Sequence, residues 1–199
     1  MCKNMPPLEL AIQFHGHICP GLLMGVRAAE FALQHLNVDP DVDEELLTVV
    51  ETNSCGVDAI QAILGCTFGK GNLIYKDYGK NVYTVASREK KQAVRIAQRF
   101  GVKFDDEWPR YRELNNQQHL TPEELQEKEN LLGVIFEKLM TMPFEQIFLW
   151  EDVVFEFPPK AQIVQTIRCD QCGEGVMENK TIRTGSGVIC RSCADGREA

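Results

Sequence analysis

Read for the alternation of apolar and polar positions, the chain resolves into a mixed body and a short cysteine-rich tail. In "PGLLMGVRAAEFALQHL" the apolar residues Leu22, Val26, Ala29, Leu33 and Leu36 recur at helical spacing, and Pro20 suits a first turn, so a helix begins just after Cys19. "LLTVVE" (Leu46 to Glu51) is β-branched and uninterrupted, the pattern of a buried strand, and "GVDAIQAILG" follows Cys55 as a short helix. The run "GNLIYKDYGKNVYTVAS" predicts two strands, near Leu73 to Tyr78 and Asn81 to Ser87, on either side of a turn at Gly79. "REKKQAVRIAQRFG" predicts a helix closed by Gly101. From Val102 to Leu120 the sequence is polar and weakly periodic, and a loop is expected. A further helix has a clear start, with Thr121 as N-cap, Pro122 at the first position and Glu124 placed for a capping box, and it ends before Pro143. "PFEQIFLWEDVVFEFPP" is apolar with embedded acids, and Pro158-Pro159 marks the boundary between a body of residues 1–160 and a terminal module of residues 161–199. Strands mixed with helices imply one layered sheet, an α+β body.

Composition narrows the possible functions. With 199 residues, 44% hydrophobic and 25% charged, the chain has ordinary globular composition and supports one sizeable core plus an appendage. Lys+Arg 21 against Asp+Glu 29 leaves a net charge of −8, so no general basic field favours nucleic acid. No apolar run approaches the roughly 20 residues of a spanning helix, and "MCKNMPPLEL" lacks the pattern of a signal peptide. A cytoplasmic location is expected, where cysteines paired as Cys-x-x-Cys favour reduced thiolates and metal over disulfides.

The tail holds the sharpest motif. Cys169-x2-Cys172 and Cys190-x2-Cys193 form two knuckles that can wrap one tetrahedral zinc ion, with Gly173 turning the chain beside the first pair. A closed four-thiolate site is structural, because it leaves no coordination position for chemistry. The second knuckle is expected to open a last short helix, giving a treble-clef-like finger.

"FHGHICPG" is different in kind. In an extended segment His15, His17 and Cys19 project from one side, and Gly16 lets the chain bend around an ion. Cys19 sits where backbone amides and the helix dipole favour thiolate. Cys55 occupies an analogous strand-to-helix junction, so four ligand candidates can meet at one sheet edge. His35 and His119 stand apart from cysteines and read as ordinary hydrogen-bonded residues; Cys66 reads as a buried small hydrophobe and Cys2 as frayed. "FGKGN" lacks a phosphate-loop pattern and reads as a plain turn, and Asp58 as a helix-start charge.

Together, "FHGHICPGLLMGVRAA", "SCGVDAIQAILGCTFGKGNL" and "KDYGK" resemble the FmdE family, which takes its name from a component of molybdenum formylmethanofuran dehydrogenase. The resemblance implies a thioredoxin-like mixed sheet flanked by helices, often dimeric, with a metal pocket at His17, Cys19 and Cys55, His15 nearby, and in two-domain members a trailing zinc finger. It also implies partnership with a molybdenum or tungsten enzyme. No pterin-binding or multiple iron–sulfur pattern is present, so no independent dehydrogenase activity is expected. The expected role is therefore a dimeric metal-binding accessory protein with a structural zinc and a second pocket metal, for which zinc is the first expectation. Its rivals are a metal-dependent hydrolase or lyase and a thiol redox protein cycling Cys19 and Cys55.

Overall fold

The computed structural model describes residues 5–102, 107–185 and 187–196; Cys2 lies outside them. The chain divides into two compact units, Met1–Pro158 and Pro159–Ala199. The first contains helices α1 (Pro7–His15), α2 (Pro20–Leu36), α3 (Gly56–Leu64), α4 (Glu107–Asn115), α5 (Pro122–Thr141) and α6 (Phe144–Ile147). Its strands are β1 (Leu46–Val50), β2 (Leu73–Tyr75), β3 (Val82–Ser87), β4 (Gln92–Gln98) and β5 (Phe148–Asp152).

These strands form one mixed five-stranded sheet in the order β2-β1-β3-β4-β5, so the expected α+β class holds. β1 is buried along its whole length, and it pairs parallel with β2 (Thr48 opposite Leu73) and antiparallel with β3 (Thr48 opposite Val85). A parallel neighbour requires a crossover, which α3 supplies. The two strands predicted around Gly79 therefore exist but are not a hairpin: both pair with β1.

The predicted helix over residues 88–101 is instead β4, paired antiparallel with β3. Val94 and Ile96 lie two apart on one buried face, opposite Val85 and Tyr83, while Arg95 turns the other way to Glu51. The β-branched pair gains more from cross-strand packing than the polar flanks gain from helix propensity. The stretch expected to be a loop contains α4, with Tyr111 and Leu114 buried. The capping box at Thr121 is formed as predicted: the Glu124 amide donates to Thr121 Oγ1 (3.2 Å) and the Thr121 amide to Glu124 Oε2 (2.9 Å).

What positions the site is the crossing of α2 and α3. A Cβ on Gly25 would lie 2.2 Å from the Gly56 carbonyl oxygen, and one on Gly56 would lie 2.3 Å from the Tyr83 hydroxyl. Only glycines permit that approach. It brings the starts of both helices, and with them Cys19 and Cys55, side by side.

The second unit is two small antiparallel hairpins, β6 (Thr166–Arg168) with β7 (Gly175–Met177) and β8 (Thr181–Thr184) with β9 (Gly187–Cys190), followed by helix α7 (Arg191–Ala194). Its buried core consists of Cys169, Cys190 and Cys193, with Cys172, Val176 and Ile189 partly buried against them. No helix among the described residues is long and apolar enough to cross a membrane.

Candidate metal centres

Cys169 and Cys172 lie on the turn between β6 and β7; Cys190 ends β9 and caps α7, which carries Cys193. Gly173 (φ +77°) takes the left-handed turn after the first knuckle, with its amide on the Cys169 carbonyl. Asp170 ties the knuckles together: its backbone amide donates to the Val188 carbonyl, and its carboxylate accepts from the Val188 amide at 2.7 Å.

All four sulfurs lie within 4.8 Å of one another. Tetrahedral ligation at a Zn–S distance of about 2.3 Å places sulfurs about 3.8 Å apart; Cys169–Cys193 and Cys172–Cys190 are 3.9 and 4.0 Å apart. Amides of Cys172 and Cys190 pull the Cys169 thiol down to about 6, whereas burial and the three neighbouring thiols push Cys193 up to about 12. Four thiols crowded together in this way need a cation to hold them as thiolates. The cluster fits a zinc finger.

The opening motif is not an extended strand. His15 ends α1, Gly16 (φ +91°) is its left-handed cap, and the chain bends before Cys19 caps α2. The fold nevertheless gathers the three predicted side chains: one donor atom each from His15, His17 and Cys19 lies within 4.8 Å of the others. His15 Nε2 is 3.8 Å from Cys19 Sγ, and the two imidazole rings are 4.5 Å apart. His15 Nδ1 bonds Asp58 Oδ2 at 2.7 Å. With Nδ1 turned to that carboxylate, Nε2 is the nitrogen that faces Cys19, the arrangement that orients metal-ligating histidines.

Cys55 is not within reach of all three donors, but its thiol is near enough to that of Cys19 to raise it. The sequence pattern predicts that the helix start favours a Cys19 thiolate. The Leu22 amide does donate to Cys19 Sγ (3.4 Å), yet burial outweighs it and the Cys55 thiol adds to the effect, so the Cys19 thiol is raised. α4 lies beside the start of α2, where its Trp108 and Arg112 line a cavity with Pro20 and Gly21, and burial raises the Tyr111 hydroxyl, with Cys19 contributing.

Two contributors escape a reading of the sequence. Asp58 reads there as a helix-start charge; nothing local signals its partner, 43 residues away. α4 reads as loop, although Trp108, Tyr111 and Leu114 repeat every third residue. The remaining candidates are structural. Cys66 is fully buried, and burial pushes its thiol up to about 12. Lys70 of "FGKGN" pairs with the buried Asp41, and His35 bonds Asp152 at 2.8 Å.

A family model described as FmdE, molybdenum formylmethanofuran dehydrogenase operon, matches residues 14–149. A probable S-adenosyl-L-methionine-binding protein of Archaeoglobus fulgidus is 34% identical over 195 residues, 92% of this chain and 51% of its own, so the chain spans about half that relative's length. The crystal structure of a tungsten formylmethanofuran dehydrogenase FmdE-like protein from Syntrophus aciditrophicus shares the fold, with a TM-score of 0.65 at 22% identity over 96% of this chain and 92% of that one.

Proposed function

The chain belongs to the FmdE family, and from that premise we propose that it is a metal-binding accessory protein serving a molybdenum or tungsten formylmethanofuran dehydrogenase. One ion, zinc by ligand type, is structural and held by Cys169, Cys172, Cys190 and Cys193 in the module that follows the body. The second, also zinc by its nitrogen and sulfur donors, is held by His15, His17 and Cys19 with Cys55 alongside. The observation that carries this reading is the Asp58–His15–Cys19 alignment, in which a carboxylate fixes the imidazole whose free nitrogen faces a thiol. An ion with three protein ligands keeps a position for a small ligand and supplies Lewis acidity there. The chain's own part is to orient His15 through Asp58 and to hold Cys19 at the start of α2. Leu149 and Trp150, exposed on the edge strand β5, support a homodimer. A cytoplasmic location suits thiols that must stay reduced.

Metal analysis of anaerobically purified protein tests the proposal. Two ions per chain are expected, falling to one in Cys19→Ala with the tail ion retained. The nearness of Cys19 and Cys55, which precede the two crossed helices, favours a second reading, thiol redox, in which the pair becomes a disulfide as a partner disulfide is reduced. One ion per chain and a reversible Cys19–Cys55 disulfide would select it.

A further inference from the structure

Beside the thiol pair lies a cavity of about 470 Å³ that the metal reading does not use. Pro20 and Gly21, which follow Cys19, line it, as does Ser54, which precedes Cys55. Gly21 separates the cavity from Cys55: a Cβ there would stand 3.4 Å from Cys55 Cβ and 4.0 Å from its sulfur. A larger cavity of about 800 Å³ elsewhere in the body has neither histidine nor cysteine in its lining. Small-molecule sites typically have volumes of roughly 300–1,000 Å³ and apolar walls carrying a few convergent polar groups. The cavity beside the thiols has that form.

One wall is a ladder of polar side chains. Ser54 Oγ donates to Asn81 Oδ1 at 3.0 Å, and Asn81 Nδ2 donates to Gln98 Oε1 at 2.7 Å. These bonds consume the amide oxygens and leave the Gln98 Nε2 protons and one Asn81 proton as donors. The buried Tyr83 also lines the cavity, and burial pushes its hydroxyl up to about 12. α4 contributes Trp108 and Arg112 to the lining, four residues apart on one helix face. Arg110 is engaged by Glu113 and Glu127, whereas no carboxylate among the described residues pairs with Arg112. Met24 and Leu139 add apolar lining. The cavity therefore offers the indole of Trp108, which also stacks on Tyr111, a guanidinium and a row of amide donors.

We propose that this cavity binds a small planar anion, an aromatic or heteroaromatic carboxylate. Its acid group is held by Arg112, its ring lies against Trp108, and its acceptor edge faces the amides of Gln98 and Asn81. The end directed toward Gly21 and Ser54 then lies next to Cys19 and Cys55. Its role as substrate rests on the open-pocket reading, while its binding does not.

The probe is nicotinate, with the neutral, near-isosteric nicotinamide as control, titrated into metal-free and metal-loaded protein. The chain has two tryptophans, so Trp150→Phe makes Trp108 the sole indole reporter. Saturable quenching by nicotinate is expected, weakened about tenfold or more for nicotinamide and in Arg112→Gln, whose exposed side chain is not needed for folding. The side-chain amide resonances of Asn81 and Gln98 should shift in the same titration. Arg112-dependent binding in a chain that holds no second ion would uphold the cavity and remove the metal pocket. A chain that holds the second ion, yet shows no quenching up to about 10 mM nicotinate or quenching indifferent to Arg112→Gln, overturns the cavity proposal and leaves the metal pocket standing.

Discussion

In the second unit four thiols surround one point with almost nothing apolar to hold them there, whereas in the first unit His15 ends α1, Cys19 caps α2 and His17 lies on the bend between them, on a frame that a large core has already fixed. The difference teaches what a bound ion does in each place. A unit whose buried residues are its own cysteines folds around its metal, because metal affinity and folding free energy are there the same quantity. A site at the start of α2, tied to α3 by Asp58, is preformed. An ion held there as proposed would leave without disturbing the fold, which is what an exchangeable or catalytic ion requires.

The largest expected effect breaks one side only. Cys172→Ser should abolish the tail ion and lower amide protection across residues 159–196 by orders of magnitude, while protection in β1, β3 and β4 stays native. Hydrogen exchange read segment by segment decides this, and a tail that stays protected without metal would overturn the contrast. The converse perturbation is Gly25→Ala. The added methyl would sit 2.2 Å from the Gly56 carbonyl oxygen, a clash with backbone that should cost about 3 kcal/mol by overpacking. Thermal unfolding should show the first unit destabilised, with tail metal content unchanged. Separation of α2 from α3 should weaken the second ion as well, and retention of full second-site affinity would show that the helix crossing does not position the ligands.

The two units are also unequally legible in the sequence. Cys-x2-Cys spacing is local and its chemistry admits few alternatives, so the tail ligands are readable before any fold is known. The helix starts after Cys19 and Cys55, and the Thr121 capping box, are local in the same sense. Asp58 is not legible because its partner is brought to it by the packing of α1 against α3. β4 is mistaken for a helix because Ala93, Val94, Ile96 and Ala97 satisfy a helical period nearly as well as an alternating one, and only pairing with β3 selects the strand. α4 is hidden by polarity: Arg110, Arg112 and Glu113 break its pattern, and apart from Pro109 its apolar positions are only Trp108, Tyr111 and Leu114.

A smaller effect should separate orientation from ligation. Asp58→Ala is expected to weaken the second ion about 10- to 100-fold by freeing the His15 tautomer, with Asp58→Asn intermediate because its amide oxygen can still accept from Nδ1. Nitrogen-15 spectra of His15 should show Nδ1 protonated in the parent protein and mixed tautomers in the alanine variant. Equal affinity in all three proteins would mean that His15 is not a ligand. The tail, with no histidine, is indifferent to the change.

The subtlest prediction concerns protons and is made in the Cys172→Ser background, where only the body site remains. Burial and the adjacent Cys55 raise the Cys19 thiol above its ordinary value of 9.0, so in the metal-free fold it stays protonated through neutrality. Its folded value exceeds its unfolded one, so its contribution to stability is complete below pH 9 and is lost as pH rises through the folded value. Without metal, Cys19 therefore favours the fold less as alkalinity increases. An ion reverses the sign, because ligation requires the thiolate: between pH 7 and 9 each thiol ligand releases one proton and affinity climbs about tenfold per unit for each. Chelator competition measured across the window should show body-site affinity rising with pH, and Cys19→Ser should weaken the ion and flatten the slope by one proton. An unchanged slope would mean that Cys19 does not ligate, and the pocket would then have to be rebuilt around His15, His17 and Cys55.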